Sequence, residues 1–188
     1  MNNESYFDLI LAHYKEVWDL DPLIYLWDKG PIEKMPISFR VIVFPPTFER
    51  RMWIYATCCM SSLNDNKPIE LHIYSSIQDD SIIELLNVIA FYHNNKSKFG
   101  LDHTINFGRP WQNESLCEFG LISLPYLEGP KLENLLIPNT NLITKFYWII
   151  PITEKEVEYK KKFGIEALET VFDKLRINYT DSQRKSLV

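Results

Sequence analysis

The spacing of apolar residues predicts helices near the start and in the middle of the chain. Residues 4–18 carry apolar side chains at near-helical intervals, which predicts an opening amphipathic helix. A second apolar stripe predicts a well-buried helix over about residues 80–95. Ser81 and Glu84 have the spacing of a capping box and mark its expected beginning.

A third helical region is predicted near the end of the chain. Thr153 and Glu156 form a second capping-box signature, and lysines follow the acidic first turn, as the helix dipole favours. Gly164 breaks or kinks this helix, and a stripe at helical spacing resumes over residues 165–175. Residues 179–188 have the composition of a polar tail.

Runs of β-branched and aromatic residues predict strands between these helices. The predicted strands cover residues 39–44, 53–60, 69–75, 103–107, 119–125 and 144–152. Turn-forming residues at 61–68 indicate a hairpin between the second and third of them. We therefore expect an α+β fold, an α/β sandwich with a mixed and largely antiparallel sheet, as a single domain over residues 1–188.

Aliphatic and polar side chains alternate along the predicted strand at 69–75. Because side chains alternate between the faces of a strand, we expect one core face and one polar face. Glu70 and His72 share the polar face, where a third group such as His93 or His103 would complete a metal site or proton relay. A hydrogen-bonded pair covered by a helix would show the same pattern.

Composition and charge narrow the classes of partner. Apolar residues make up 46% and aromatic residues 14% of the chain, which indicates a folded protein. A net charge of −5 disfavours nucleic acid and anionic membranes and would attract a cationic partner, although ordinary solubility also favours such a charge.

Cysteine usage and the N-terminal sequence predict a cytoplasmic location. Cys58, Cys59 and Cys117 cannot all pair within one chain, and adjacent cysteines rarely form a structural disulfide, so we expect reduced thiols. The first residues lack the basic and apolar regions of a signal peptide, and no apolar run is long enough to span a membrane.

Sequence signatures of familiar enzymes are missing. The chain contains no G-x-S-x-G elbow, Walker loop, G-x-G-x-x-G loop or H-E-x-x-H motif. We therefore expect a protein that is not an enzyme and needs no cofactor or metal. The alternative from the residues is a hydrolase built on Glu70, His72, Asp102 and His103.

Residues 100–111 have the most unusual composition in the chain, with glycines, an acid, a cation and an indole close together. This mixture is typical of a recognition surface, and Arg109 and Trp111 are residue types enriched at binding interfaces. In the alternative interpretation, Asn106 and Arg109 fasten a turn and Trp111 fills the core.

Five ordered segments resemble bacterial suppressor-of-fused-domain proteins. They are WIYATCCMS at 53–61, IELHIYS at 69–75, LDHTINFGRPW at 101–111, GLISLPYLEGP at 120–130 and WIIPITEKEVEYKKKFGIEALE at 148–169. Together they cover most of residues 50–175.

The resemblance implies an α/β sandwich that binds a protein without catalysis. The animal member sequesters a zinc-finger transcription factor by pairing with an extended peptide, and bacterial members resemble immunity proteins of polymorphic toxin systems. Two residues of the animal peptide site match Tyr92 and the Asp102 that precedes His103, although we expect one such domain in this chain and no counterpart of the second lobe of the animal protein. The resemblance thus favours an immunity protein that binds a cognate toxin, with sequestration of an endogenous regulator as the alternative.

The expected partner site combines the resemblance with the composition of residues 100–111. Its predicted members are Tyr92, Asp102, His103, Asn106, Arg109 and Trp111.

Overall fold

A computed structural model describes residues 3–26 and 32–188 of the chain. The helices are α1 (Asn3–Trp18), α2 (Ser81–Asn95), α3 (Pro130–Glu133), α4 (Glu154–Phe163) and α5 (Ile165–Leu175), with a 3₁₀ helix at Ile32–Lys34. The strands are β1 (Leu23–Tyr25), β2 (Arg40–Phe44), β3 (Trp53–Cys58), β4 (Ile69–Ser75), β5 (Thr104–Asn106), β6 (Phe119–Ser123), β7 (Asn134–Leu136) and β8 (Ile143–Ile152). None of these helices is both long and apolar enough to cross a bilayer.

The strands form one sheet in the order β1-β2-β3-β4-β8-β6-β5. Strand β7 pairs with the first residues of β8, on the same side of β8 as β6. All neighbouring strands are antiparallel except β4 and β8, whose parallel register places Ile69 opposite Lys145. The predicted α+β class, with a mixed and largely antiparallel sheet and helices near the start, middle and end, is confirmed.

Helices cover both faces of the sheet because the strands alternate between two apolar cores. On one face, α1, α4 and α5 pack against strand residues such as Phe44 and Phe146. On the other face, α2 packs against the alternate strand positions, among them Leu71 and Ile149. The strongly apolar β8 contributes to both cores, as expected for a strand near the middle of the sheet.

The face of β4 that carries Glu70 and His72 is polar in composition but covered by a helix, as in the alternative interpretation of this pair. All seven residues of β4 are buried, because α1 covers the face that carries the even-numbered side chains. Glu70 accepts hydrogen bonds from the Thr57 hydroxyl at 2.6 Å and the Met60 amide at 2.9 Å. The His72 ring packs edge-on against Trp18, with 5.7 Å between ring centroids.

The two predicted capping boxes had different outcomes. At α4, the Thr153 side chain accepts from the Glu156 amide and the Glu156 carboxylate accepts from the Thr153 amide, so this capping box is confirmed. At α2 the prediction was wrong, because the helix begins after Asp80, which makes no side-chain capping bond. The Asp79 carboxylate instead accepts from the amide of Ser81 at 2.9 Å.

The ends of several strands differ from the sequence prediction. Strand β3 ends at Cys58 because Cys59 adopts a left-handed conformation with φ 62°, which an extended strand cannot contain. Four short elements, β1, the 3₁₀ helix, α3 and β7, were not predicted. The two short strands are largely exposed and have only three residues each, so they carry little periodic signal.

The predicted polar tail is fastened to the rest of the protein. Arg184 is only 7% exposed, and its guanidinium forms an ion pair with Glu156 across 2.7 Å. The same guanidinium donates to the Pro151 carbonyl at 2.7 Å. One buried cation therefore joins the last residues to the end of β8 and the start of α4.

Candidate functional site

A groove of about 650 Å³ runs beside β5, the strand at one edge of the sheet. Residues of α2 and two lysines of α4 contribute to its lining. Its lining residues are Leu85, Val88, Ile89, Tyr92, Ser97, Phe99, Asp102, His103, Thr104, Ile105, Asn106, Phe107, Lys160 and Lys161. Four of the six predicted partner residues, Tyr92, Asp102, His103 and Asn106, therefore line one groove.

The groove wall formed by residues 102–106 is held in place through backbone hydrogen bonds to β6. The amide of Asp102, which has φ 65°, donates to the Ile122 carbonyl at 2.9 Å, and the Ile122 amide donates to the His103 carbonyl at 2.9 Å. The side chains of Asp102 and His103 are both exposed. This turn therefore fixes the backbone while leaving a carboxylate and an imidazole available at the groove.

Tyr92 and Phe99 form the aromatic part of the groove. Tyr92 is 48% exposed on α2, and its ring stacks on Phe99 with 5.7 Å between centroids and 14° between planes. The Phe99 amide donates to Nδ1 of His93 at 3.0 Å. Burial lowers the pKa of His93 to about 4, so the neutral ring accepts this bond and ties the loop to α2.

Lys160 joins α4 to the groove, a contact that the sequence did not predict. Its ammonium group donates to the Asp102 carbonyl and to the Thr104 hydroxyl, the latter at 3.1 Å. Burial lowers the pKa of Lys160, and the Asp102 charge opposes that shift. In the sequence, the lysines at 160–162 match the preference of a helix C-terminus for positive charge. No local pattern distinguishes Lys160 from its two neighbours.

The last three predicted partner residues make mainly internal contacts. Asn106 is exposed at the groove, and its side-chain carbonyl accepts from the Gly108 amide at 2.7 Å. Arg109 donates to the Ser81 carbonyl at 2.6 Å and to the Pro110 carbonyl at 3.1 Å, which fastens the turn to the start of α2.

Trp111 does not form the surface contact predicted from its residue type. It is 0% exposed and belongs to the core beneath α2, because the chain turns inward after Pro110. Neither Arg109 nor Trp111 lines the groove. For these two residues the geometry matches the alternative interpretation of a fastened turn and a filled core.

The four residues of the hydrolase hypothesis do not converge. Glu70 and His72 are 0% exposed inside the protein, whereas Asp102 and His103 lie at the surface. Burial raises the pKa of Glu70 and lowers the pKa of His72 to about 3. Within residues 3–26 and 32–188, no three His, Cys, Asp or Glu side chains gather in a way that could hold a metal ion.

Comparison with known proteins gives one family. The model of the Suppressor of fused protein (SUFU) family matches residues 35–185. A SUFU homologue from Neisseria gonorrhoeae, seen in a crystal structure, is 32% identical in sequence to this chain. The alignment covers 98% of each chain, with a TM-score of 0.86. No curated protein matches the chain.

Two more distant structures share the fold. The crystal structure of the Sufu-Fu complex contains a chain that is 13% identical, with 97% of this chain and 92% of that chain covered and a TM-score of 0.72. Drosophila Suppressor of Fused is 12% identical, with 97% of this chain and 51% of that chain covered and a TM-score of 0.68. The family match and the bacterial structure together show that this chain belongs to the suppressor of fused (SUFU) family.

Proposed function

We propose that this chain is an immunity protein, which binds an extended segment of a cognate toxin along β5 and neutralises that toxin by occlusion. The proposal needs no catalytic step or cofactor, and it places the protein in the cytoplasm as a single domain. The observation that carries it is the edge of β5 that no other described strand pairs with, inside a groove that presents Tyr92 and Asp102.

The backbone of β5 suits the addition of another strand. The His103 carbonyl accepts from Ile122, and the Phe107 amide donates to the Glu118 carbonyl at 2.9 Å, so these positions face β6. Backbone groups alternate in direction along an antiparallel strand, and those of Thr104 and Asn106 therefore point away from β6. Among the described residues no strand pairs with β5 on that side, where an extended peptide would find free donors and acceptors.

Side chains around this edge supply selectivity. Tyr92 and Phe99 offer an apolar surface to alternate side chains of an added strand. No ion pair within the described residues engages the exposed Asp102 carboxylate, which leaves it available to a donor on the partner. A charge-assisted hydrogen bond to Asp102 would become stronger once the partner excludes water.

Two relationships support protein binding over chemistry. The Sufu-Fu complex contains a chain of this fold together with another protein. At 13% sequence identity, that likeness shows a shared fold alone. The resemblance to bacterial members associated with polymorphic toxins favours a toxin as the partner. The burial of Glu70 and His72 away from Asp102 and His103 disfavours the hydrolase alternative.

A proline substitution tests the strand-pairing site. Thr104→Pro removes one outward-facing amide while leaving the amides of the β5–β6 ladder in place. Thr104→Val is the matched control, since it removes the hydroxyl that contacts Lys160 but keeps the amide. Tagged wild-type protein would capture its partner from the native host, and we expect Thr104→Pro to weaken binding of that partner by roughly tenfold or more.

The control should retain most of the wild-type affinity, and all three proteins should show the same circular dichroism spectrum. Equal affinity of the proline variant and wild type would refute pairing at β5. The immunity role has its own test, in which the captured protein is expressed in a sensitive host with and without this chain. Growth arrest relieved by co-expression supports immunity, whereas a harmless captured protein refutes it and leaves the binding site standing.

A further inference from the structure

A second cavity, of about 510 Å³, opens where the parallel strands β4 and β8 begin, beside the loop that follows α2. Its polar lining residues are Asn66, Lys67, Asn141, Lys145 and Tyr147. The volume falls in the range of sites that hold a small molecule. Phe99 lines both this cavity and the groove beside β5, so the two openings are neighbours, but none of these polar residues lines the groove.

We propose that this cavity binds a small organic molecule that carries a phosphate monoester on an apolar body. The inference goes beyond the proposed function, because it concerns a different site and does not depend on a protein partner. It rests on two lysines without ion pairs, on a tyrosine hydroxyl without a hydrogen-bond partner and on the apolar side chains beside them.

The charged side chains that line the cavity are both positive. Lys67 and Lys145 belong to the lining, and no acidic residue does within the described part of the chain. No ion pair within residues 3–26 and 32–188 engages either ammonium group, whereas the nearby Lys98 pairs with Asp65 at 2.9 Å. In a chain of net charge −5, two unpaired cations at one opening form a local site for an anion.

Tyr147 brings a neutral donor to the same opening. Because side chains alternate along a strand, Lys145 and Tyr147 project from the same face of β8, and both line the cavity. Tyr147 is 6% exposed, and its hydroxyl makes no hydrogen bond to a described residue. That hydroxyl is not among the polar atoms shut off from solvent, so it keeps accessible surface from which it can donate to a ligand.

The Tyr147 hydroxyl remains a donor at neutral pH. Burial raises its pKa, and the neighbouring Glu133 and Asp102 raise it further, so the phenol stays protonated. Neither of these acids lines the cavity. Their carboxylates therefore influence the hydroxyl from a distance and leave the lining itself to donors and cations.

The number of donors favours a phosphate over a carboxylate. A phosphate monoester carries a charge of about −1.5 to −2 near pH 7 and has three strong acceptor oxygens. Lys67 and Lys145 together balance that charge, and the Tyr147 hydroxyl and the side-chain amides of Asn66 and Asn141 offer further donors. A carboxylate has a single charge and would leave one of the two cations without a counter-ion.

Apolar side chains beside these donors suit an organic body on the phosphate. Ile69, Phe99 and Leu142 contribute to the lining. Leu101 and Ile143 also line the cavity and are 39% and 44% exposed, so a ligand would cover apolar surface that now meets water. An inorganic phosphate would leave that surface exposed.

The three segments that form the cavity are fastened to one another. The Lys145 amide donates to the Pro68 carbonyl at 2.9 Å, which joins the start of β8 to the start of β4. The Lys98–Asp65 ion pair joins the loop after α2 to the turn before β4. Because these contacts already hold the lining segments together, binding would require little further ordering.

Isothermal titration calorimetry of the whole protein tests the proposal with phenyl phosphate as the probe, at about 0.15 M ionic strength. Phenyl sulfate is the matched control, because it has nearly the same shape and a single negative charge. We expect phenyl phosphate to bind roughly tenfold more tightly than phenyl sulfate. It should also bind roughly tenfold more tightly than inorganic phosphate, which has no apolar body.

Variants locate the binding energy. Lys67→Gln and Lys145→Gln are each expected to weaken phenyl phosphate binding by roughly tenfold. Lys155→Gln is the control for net charge and should bind like wild type, because Lys155 is exposed on α4 and does not line the cavity. Tyr147→Phe should weaken binding by roughly threefold to tenfold. All four variants should keep the wild-type circular dichroism spectrum, since the lysines are exposed and the tyrosine loses only its hydroxyl.

Equal affinity for phenyl phosphate and phenyl sulfate, or wild-type affinity in both Lys67→Gln and Lys145→Gln, would overturn the proposal. Inorganic phosphate binding as tightly as phenyl phosphate would refute the apolar body. N-acetyl-phosphotyrosine amide carries the same group on an amino acid, and tighter binding of this compound would overturn the assignment to a small molecule in favour of a phosphorylated protein. Thr104→Pro should bind phenyl phosphate like wild type, so failure at β5 and failure at this cavity are separate results.

Discussion

Loss of the Arg184 guanidinium should destabilise the fold by about 3 to 5 kcal/mol, the usual consequence of leaving one partner of a buried ion pair alone. Its two terminal nitrogens each lie 2.7 Å from a separate oxygen of Glu156. The Arg184 side chain is 6% exposed and that of Glu156 is 0% exposed, so water cannot replace the missing cation. In Arg184→Met the apolar stem stays and an unpaired buried carboxylate remains.

Urea unfolding at pH 7, followed by tryptophan fluorescence, measures this loss. For a chain of this size we expect the melting temperature to fall by roughly 6 to 20 °C as well. Lys185→Met is the matched control, because Lys185 is exposed and next to Arg184.

A double variant separates the unpaired charge from lost packing. In the wild-type protein the Thr153 amide donates to the Glu156 carboxylate at 2.8 Å. Glu156→Gln combined with Arg184→Met removes the buried charge and keeps a side-chain oxygen that can accept this hydrogen bond. The double variant should therefore be more stable than Arg184→Met alone. A loss below about 1 kcal/mol in Arg184→Met, or one equal to that of the control, would refute the reasoning.

Two further predictions concern the sheet. Burial lowers the pKa of His72 to about 3, so between pH 3 and 6.5 the folded state binds fewer protons than the unfolded state. The contribution of His72 to the unfolding free energy is therefore fully present above about pH 6.5 and is lost as the pH falls towards 3. His72→Leu should flatten the unfolding free energy over this range, and an unchanged slope would contradict the assignment. Gly120→Ala should cost about 1 to 3 kcal/mol in urea unfolding, because the added Cβ would lie 2.6 Å from Cζ of Phe107 and 2.7 Å from Cγ2 of Ile149. Gly100→Ala, which meets nothing within 4 Å, is the control, and equal stability of the two variants would refute the packing argument.

Local patterns predicted the elements whose signals are local. Alternation and β-branched composition located the long strands, and the Thr153–Glu156 spacing located the start of α4, because these features depend on residues close in sequence. Local patterns left open whether a helix covers the Glu70–His72 face of β4. The burial of this face depends on α1, which packs over Glu70 and His72 from far away in the chain.

The candidate site was predictable only in part, for the same reason. Residue type identified Asp102, His103 and Asn106, and the family resemblance added Tyr92. Composition cannot distinguish an exposed indole from a buried one, so Trp111 was misplaced. Lys160 reaches the groove only because α4 and β5 meet at the edge of the sheet, and its neighbours in sequence give no sign of that contact.

The parallel pairing of β4 with β8 has a consequence for synthesis of the chain on the ribosome. Ile69 cannot pair with Lys145 until that residue has been synthesised. At ordinary translation speeds the ribosome needs roughly 4 to 15 s to add the intervening residues. During that interval the nascent chain carries β4 without the neighbour that pairs with it in the folded protein, and an unpaired strand edge is a hazard for aggregation. Truncated versions that end before β8 should therefore need chaperones or precipitate, and a useful fragment of this protein must include both halves.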